Sequence, residues 1–285
     1  MYKLIKIMRE QLDMSQDQFA KALGTTILSV SRWENGKNLP NRIAQLQLFK
    51  LAKKYNVDLS SHIVNDYNGK NDEHSLVLYH GSKKGIVGKI APISREYCDF
   101  GKGFYCGTNP MQPLTLISSE VQPSVYTIKL DLTGLRLLNV PVGLDWAMLI
   151  AYFRGYMEEV KGSPIYKKYE RMVYGYDVIS GAIADDRMYR VINSFLEKEI
   201  TDRALLHSLS SLDLGTQYVL KTQKSCENVE LLDSKKLSLF ELLILRNKSI
   251  QQREEGINLT DEVLLKYRRE GRFFDEILKE NNFDE

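Results

Sequence analysis

The chain contains few cysteines, and none of the three has the spacing of a metal site or can complete a disulfide framework. Cys98, Cys106 and Cys226 therefore predict free thiols in a reducing compartment and no bound metal. The first ten residues lack the apolar core of a secretory signal, and the apolar run at residues 146–153 is too short for a membrane span. These absences predict a soluble, cytoplasmic protein without a membrane segment.

The composition indicates a globular protein with two regions of different charge. Apolar residues make up 43% of the 285 residues, which is enough for a substantial core, and the length suits two domains. Residues 1–70 carry 11 basic and 6 acidic side chains, whereas the remainder carries 28 and 31. The positive charge lies in the first region, as phosphate binding requires.

The first region, residues 1–64, has the pattern of short helices packed around a tight turn. Ser15 and Gln18 have the spacing of a capping box, and Gly24 supplies the corner of a helix-turn-helix. Gly36 has the position of a glycine that ends a helix. The predicted helices cover residues 4–12, 15–23, 26–35 and 42–55, with a turn near 58–62. The side chains expected to face inward are Phe19, Ala20, Leu23, Val30 and Trp33.

These residues resemble the repressor-type, Cro-like helix-turn-helix family. The likeness is carried by Ser15-Gln16, Phe19-Ala20, Gly24 and the run Trp33-Glu34-Asn35-Gly36-Lys37. It implies binding to duplex DNA as a homodimer that reads two half-sites. The residues that it assigns to phosphate or sugar are Gln16, Thr26, Ser29 and Lys37, and it assigns Arg32 to a guanine edge.

Two positions depart from that family pattern. Ile27 and Leu28 stand where long polar base readers often lie, and apolar side chains can contact a thymine methyl but cannot hydrogen-bond a base edge. Either the sequence readout is weak, or these side chains face a protein partner.

The rest of the chain mixes strand and helix patterns. Residues 65–74 are polar and predict a linker. The mixture that follows lacks regular βαβ alternation and a Gly-rich dinucleotide fingerprint, so the predicted fold class is α+β: an all-α domain, then an α+β domain at 75–234. A charged helical tail at 235–285 either packs on the second domain or makes an oligomer contact. Strand patterns occupy residues 76–82, 124–130, 176–181 and 217–222, and helical patterns occupy 144–161, 186–199 and 202–210.

Three motifs in the second domain resemble a bacterial family related to ADP-ribosyltransferases of the His-Tyr-Glu, diphtheria-toxin-like type. They are Tyr79-His80-Gly81-Ser82, then Asp99-Phe100-Gly101-Lys102-Gly103-Phe104-Tyr105-Cys106-Gly107-Thr108 with Gln112 following, and Gln217-Tyr218-Val219-Leu220-Lys221-Thr222. The resemblance spans residues 75–232 and implies NAD⁺ as substrate. It gives His80 to the adenosine ribose, the Gly81 backbone to the carboxamide and the Tyr105 ring to nicotinamide. Ser82, Asp99 and Gly103 complete the NAD⁺ contacts that the resemblance implies. Gly103 would let the backbone approach the ligand closely.

The third catalytic position departs from that family. A glutamate normally stabilises the cationic transition state there, and this chain has Gln217, which orients a ribose but brings no charge. Asp99 or Asp186 is a candidate for the missing carboxylate. Two functions lead. The first is a transferase in a toxin or phage-defence setting, whose acceptor is protein, nucleic acid or water. The second is a transcriptional regulator with a catalytically inactive domain that senses NAD⁺ or ADP-ribose. A third reading makes both regions protein-interaction surfaces.

Overall fold

The computed structural model describes residues 1–64, 74–120, 123–183, 186–210, 215–267 and 270–280. The predicted linker lies outside the described residues except for its last residue, His74. The first region is helical, as predicted. Its helices are α1 (Tyr2–Gln11), α2 (Gln16–Leu23), α3 (Ile27–Glu34) and α4 (Arg42–Lys54), followed by a 3-10 turn at Ser60–His62.

The ends of these helices follow the signals in the sequence. Ser15 and Gln18 form the predicted capping box, in which each side chain bonds the other residue's backbone N–H. Gly24 ends α2 with φ of 64°, a left-handed conformation that glycine adopts without strain. Gly36 has φ of 67° just beyond α3. The five side chains expected to face inward are all buried.

The second region is built on one seven-stranded sheet in the order β4-β5-β6-β2-β1-β3-β7. Neighbouring strands are antiparallel, except that β4 and β5 are parallel. The chain is thus α+β overall. The strands are β1 (Ser75–Ser82), β2 (Phe104–Gly107), β3 (Ser124–Asp131), β4 (Leu137–Val140), β5 (Val178–Ala182), β6 (Thr216–Leu220) and β7 (Val229–Lys236).

Helices pack on one face of this sheet, whereas Cys226 and the connection between β1 and β2, through Ile86 and Ile90, pack on the other. One core holds Trp146, Ile179 and Val219, and the other holds Leu78, Phe104 and Leu220. The helices are α5 (Met111–Ile117), α6 (Leu144–Phe153), α7 (Pro164–Met172), α8 (Asp186–Leu196), α9 (Asp202–Ser210), α10 (Gln223–Glu227), α11 (Leu239–Tyr267) and α12 (Phe274–Glu280). Within the described residues, no helix is both long and apolar enough to span a membrane.

Two sequence predictions about element bounds were wrong. The helix expected over residues 144–161 ends at Phe153, because Gly155 adopts φ of 83° and a short 3-10 helix follows at Glu158–Val160. The boundary expected between residues 234 and 235 falls inside β7. This edge strand is mostly exposed and charged, so it shows no apolar alternation.

The helix-turn-helix and the second domain share a hydrophobic core. Leu4, Met8 and Leu48 pack in one cluster with Leu114 of α5 and Phe240 of α11. Polar contacts cross the same junction: the backbone N–H of Phe240 donates to Gln45 at 3.1 Å, and Lys248 pairs with Asp58 at 3.1 Å. The first half of α11 is therefore a structural part of the junction, and α11 also packs on α8 and α9.

Candidate functional site

The helix-turn-helix exposes the start and the outer face of α3. Ile27 and Leu28 are 51% and 56% exposed, whereas Val30 and Trp33 are buried against α1 and α2. The two apolar departures therefore stand on the surface and take no part in the core. This is the surface that a helix-turn-helix presents to the major groove.

Glu34 holds α1, α2 and α3 together from beneath that surface. It is 8% exposed and accepts from Arg9 Nε at 2.7 Å and from Gln16 Nε2 at 2.8 Å. The hydrogen bond to Glu34 raises the pKa of Arg9. One of the two N–H donors of Gln16 Nε2 is thus engaged within the protein, and the other can donate to a phosphate while this bond is kept.

The other predicted DNA contacts lie along α3 and just after it. Thr26 caps α3: its Oγ1 accepts from the backbone N–H of Ser29 at 3.2 Å and lies 2.9 Å from the Ser29 hydroxyl. Arg32 and Lys37 are exposed, and no ion pair to either side chain occurs within the described ranges. Both cations are free to contact DNA.

The predicted NAD⁺ residues lie on neighbouring strands, near the point where two central strands part. Strands β1 and β2 pair at Tyr79 and Gly107 and diverge beyond that point, whereas β1 pairs with β3 along its whole length. Strand β6 lies on the other side of β2, with Gln217 opposite Gly107. His80, Tyr105 and Gln217 therefore lie on three neighbouring strands around this opening, which we call the β1–β2 opening.

The His80 ring crosses the β1–β2 opening. Its Nδ1 lies 2.6 Å from the carbonyl oxygen of Tyr105, and the ring stacks on Phe104 at 4.2 Å. Burial lowers the pKa of His80, although the hydrogen bond to Tyr105 acts in the opposite direction. The imidazole is therefore neutral at pH 7. Because a carbonyl only accepts, Nδ1 carries the proton and Nε2 keeps its lone pair.

Tyr105 anchors the segment that we call the glycine loop, residues 98–103. Its hydroxyl donates to the carbonyl of Gly101 at 2.7 Å and accepts from the backbone N–H of Phe100 at 3.0 Å. Its ring packs against the core on the face opposite to the one where His80 stacks on Phe104. Burial raises the pKa of Tyr105, which keeps the hydroxyl protonated.

Gln217 is buried beside two glycines. It is 2% exposed, it pairs with Gly107 on β2 and Gly181 on β5, and its Nε2 donates to the carbonyl of Ala182 at 3.0 Å. Its Oε1 has no hydrogen-bond partner in the part of the chain that the structure describes, so it remains available as an acceptor.

The remaining predicted NAD⁺ contacts also have structural roles. A Cβ on Gly81 would lie 2.7 Å from the carbonyl oxygen of Pro113, and one on Gly103 would collide with the Val219 side chain. Glycine is thus required at both positions by close contact with other parts of the protein, with no need for a ligand to explain it. Ser82 ends β1 opposite Ser124.

The two candidates for a replacement carboxylate have different outcomes. Asp99 is ion-paired with Arg154 at 2.6 Å, and Arg154 also donates to Asn193 on α8 at 3.1 Å. The negative charge of Asp99 is therefore already compensated by Arg154. Residues 184 and 185 lie outside the described residues, and nothing is described of the Asp186 side chain.

Lys221 stands in the third motif of the second domain, but the sequence pattern assigns it no role. Its Nζ donates to the carbonyl of Phe100 at 2.5 Å and lies 4.8 Å from the centre of the Phe153 ring. Burial lowers its pKa to about 8. Lys221 and the Tyr105 hydroxyl thus hold the glycine loop from two sides. The sequence signal for Lys221 is its place in that motif, directly after β6.

Comparisons with known proteins agree with these two regions. Residues 5–61 match the family described as "Helix-turn-helix" (HTH_3), which supports DNA binding and a regulator-type function. Residues 76–231 match the family described as "Protein of unknown function (DUF3990)". No curated protein and no solved structure matches the chain significantly.

Proposed function

Since the chain belongs to the DUF3990 family of proteins of unknown function and begins with a helix-turn-helix, we propose that it is a DNA-binding protein whose second domain binds NAD⁺ and transfers ADP-ribose. The observation that carries the proposal is the fixed His80 ring at the β1–β2 opening. Its Nδ1–H is held by the carbonyl of Tyr105, which leaves a neutral Nε2 as a hydrogen-bond acceptor. A ribose hydroxyl is a donor that suits it.

The other residues fit an NAD⁺ molecule in part. Tyr105 lies on the strand next to His80 with its ring on the opposite face of the sheet, and Gln217 Oε1 is an available acceptor one strand further. Cleavage of the nicotinamide–ribose bond builds positive charge on the ribose, and neither Gln217 nor the compensated Asp99 supplies a free negative charge there. We therefore expect turnover to be slow.

A second function is favoured by the contact between β1 and α5. Gly81 follows His80 and packs against Pro113 of α5, while Leu114 and Ile117 of α5 lie in the core shared with the helix-turn-helix. A ligand that moves this part of β1 would therefore press on the DNA-binding region. In this alternative, NAD⁺ or ADP-ribose is sensed by a catalytically inactive domain.

Calorimetry with NAD⁺ tests the proposed site. We expect His80→Ala to weaken binding by about 1–3 kcal/mol, because a ribose hydroxyl loses its acceptor. Tyr105→Ala should lose on the order of 1 kcal/mol of ring stacking. Tyr105→Phe keeps the ring and separates stacking from loop anchoring. Tyr174→Ala is the control, since Tyr174 is 83% exposed. NAD⁺ affinity unchanged in both alanine variants at His80 and Tyr105 would place the pocket elsewhere.

Release of nicotinamide from labelled NAD⁺ separates the transferase from the sensor. In a slow transferase, Gln217→Glu adds the missing negative charge and should raise turnover. In a sensor, the same change alters NAD⁺ binding alone or has no effect. Circular dichroism of each variant checks that the buried substitution leaves the fold intact, and Gln217→Ala controls for loss of the bond to Ala182.

DNA binding is tested by fluorescence anisotropy with duplex DNA at several salt concentrations. Arg32→Ala should reduce the difference in affinity between a duplex of preferred sequence and one of random sequence, because a two-donor guanine contact contributes about 1–3 kcal/mol of discrimination. Lys37→Ala should weaken both duplexes alike and reduce the salt slope by about 1. If the chain binds neither duplex at low salt, this assignment is wrong.

The proposed DNA-bound form is a homodimer, because repressor-type modules read two half-sites. Light scattering at micromolar concentration, with and without duplex DNA, measures its mass. A monomer under both conditions contradicts the dimer.

A further inference from the structure

The long connection between β1 and β2 concentrates positive charge in a domain that is neutral as a whole, since residues 75–234 carry 18 basic and 18 acidic side chains. Residues 83–102 carry five basic side chains, Lys83, Lys84, Lys89, Arg95 and Lys102, and two acidic ones, Glu96 and Asp99. We call this segment the basic loop. Lys83 pairs with Glu120, and Asp99 pairs with Arg154.

Four of these cations form no ion pair among the described residues. Lys84, Lys89, Arg95 and Lys102 are exposed, and none has an ion-pair partner in the described part of the chain. Mutual repulsion of unpaired cations in one loop is unfavourable and is relieved by a bound anion.

The backbone of the basic loop is fixed rather than only tethered at its ends. The N–H of Ile86 donates to the Tyr126 hydroxyl at 2.9 Å, and Ile86 and Ile90 pack on the core beneath β1. Two hydrogen bonds join Ser94 and Gly103. The Ser94 N–H donates to the Gly103 carbonyl at 3.1 Å, and the Gly103 N–H donates to the Ser94 hydroxyl at 3.0 Å. The cations therefore project from a supported surface.

Large apolar side chains stand between the cations. Val87, Ile93 and Tyr97 are 90%, 77% and 71% exposed. Exposed single apolar residues are common, but three within one cationic loop form a surface that is both positive and apolar. A ring and two aliphatic side chains suit planar bases, whereas the cations suit phosphates.

Both ends of the basic loop meet the β1–β2 opening. Lys83 and Lys84 follow Ser82 directly, and Lys102 follows Gly101, whose carbonyl accepts from the Tyr105 hydroxyl. Anything bound along the loop would lie beside His80 at one end of the loop and beside the glycine loop at the other, because Ile86 and Ile90 place the basic loop on the His80 face of the sheet.

We propose that the basic loop binds single-stranded nucleic acid, with phosphates on Lys84, Lys89, Arg95 and Lys102 and a base stacked on Tyr97. An unpaired strand suits this loop better than a duplex, because only an unpaired strand offers base faces to Tyr97, Val87 and Ile93. This binding is separate from the duplex contact of α3.

One further step rests on the proposed function: the bound strand is the ADP-ribose acceptor. In that transfer, the bond between nicotinamide nitrogen and ribose carbon breaks, and nicotinamide leaves with the electron pair. A nitrogen or oxygen of the strand bonds to the ribose carbon, and its proton passes to water.

Anisotropy with a labelled single-stranded oligonucleotide, without NAD⁺, tests the binding on the full chain. We expect Lys84→Ala combined with Lys89→Ala to reduce the salt slope by about 1.4, at 0.7 per lost phosphate contact. Tyr97→Ala should weaken binding about fivefold or more through lost stacking. The matched controls are Lys167→Ala with Lys236→Ala, which removes two exposed lysines elsewhere, and Tyr174→Ala. Arg32→Ala should lower duplex affinity and leave single-strand affinity unchanged.

The opposite results overturn the proposal. Single-strand affinity that is unaffected by the loop variants, or equally lost in the controls, excludes the basic loop as the site. Polyglutamate binding as tightly as the oligonucleotide, with no effect of Tyr97→Ala, assigns the loop to acidic polypeptides instead. With labelled NAD⁺ added, label on the strand supports the acceptor step. Label on protein alone overturns that step, and the NAD⁺-free binding result is independent of it.

Discussion

Glu34 is the side chain on which three helices of the DNA-binding region converge. Glu34→Ala would leave Arg9, whose side chain is 15% exposed, without its buried partner and Gln16 without its acceptor. Loss of one member of a buried pair typically costs about 3–5 kcal/mol of unfolding free energy. Urea unfolding measures the change. Glu10→Ala is the control, because its 55% exposed carboxylate contributes about 0–1 kcal/mol. Equal losses in both variants would contradict this role of Glu34.

Lys221 predicts a pH dependence of stability. Its pKa is about 8 in the folded chain and about 10.5 in an unfolded one, so between these values the unfolded chain binds the extra proton. Stability attributable to Lys221 therefore rises with pH from 8 towards 10.5. The difference in unfolding free energy between the wild type and Lys221→Met, measured by urea at several pH values, should shift in favour of the wild type over this window. A difference that stays constant with pH would show that Lys221 is not perturbed.

Single residues also show where sequence reasoning reached its limit. The motifs around His80 and Tyr105 could be predicted to be neighbours, and the structure places His80 Nδ1 against the Tyr105 carbonyl. The Tyr105 bonds to Phe100 and Gly101, and the Lys221 bond to Phe100, depend on how the glycine loop folds back. Such a fold-back has no local pattern. Glu34 stood in a recognised motif, yet its partners lie on two other helices.

Among the elements, α5 forms the contact between the β1–β2 opening and the shared core. Gly81→Ala would place a Cβ 2.7 Å from the Pro113 carbonyl and 3.0 Å from Ile117, so α5 must shift. We expect a loss of about 1–3 kcal/mol in unfolding free energy, typical of overpacking. Gly143→Ala is the control, because nothing lies within 4 Å of its Cβ position. Weaker duplex DNA binding by Gly81→Ala alone would support the regulatory alternative, and equal stability of the two variants would contradict the α5 contact.

The elements predicted best are those whose patterns are local. The capping box at Ser15 and the apolar alternation in β3 depend only on residues within or next to the element that they predict. Strands β2 and β4 are four residues long, too short for a periodic signal, and they become strands by pairing with β6 and β5. The helix α7 carries a Ser163 cap and a proline in its first turn, signals that local reading can use.

For the whole molecule, the shared core predicts cooperative unfolding of both regions. The tail alternative that the structure supports is packing on the protein: Phe240 of α11 is fully buried among residues of the helix-turn-helix, and α11 continues onto α8 and α9. A region that shares its core with a neighbour cannot unfold alone without exposing the neighbour's apolar surface.

The two tryptophans of the chain allow this cooperativity to be measured, because Trp33 lies in the helix-turn-helix and Trp146 in the main core of the sheet. Trp33→Phe and Trp146→Phe each leave one probe. The Trp146 indole N–H has no hydrogen-bond partner within the described residues, so its replacement removes no such bond. We expect the two fluorescence transitions to coincide in urea. Adding Phe240→Ala, which should cost about 3–5 kcal/mol, should shift both midpoints equally. If the Trp33 signal is lost at lower urea while the Trp146 signal is unmoved by Phe240→Ala, the two regions unfold independently.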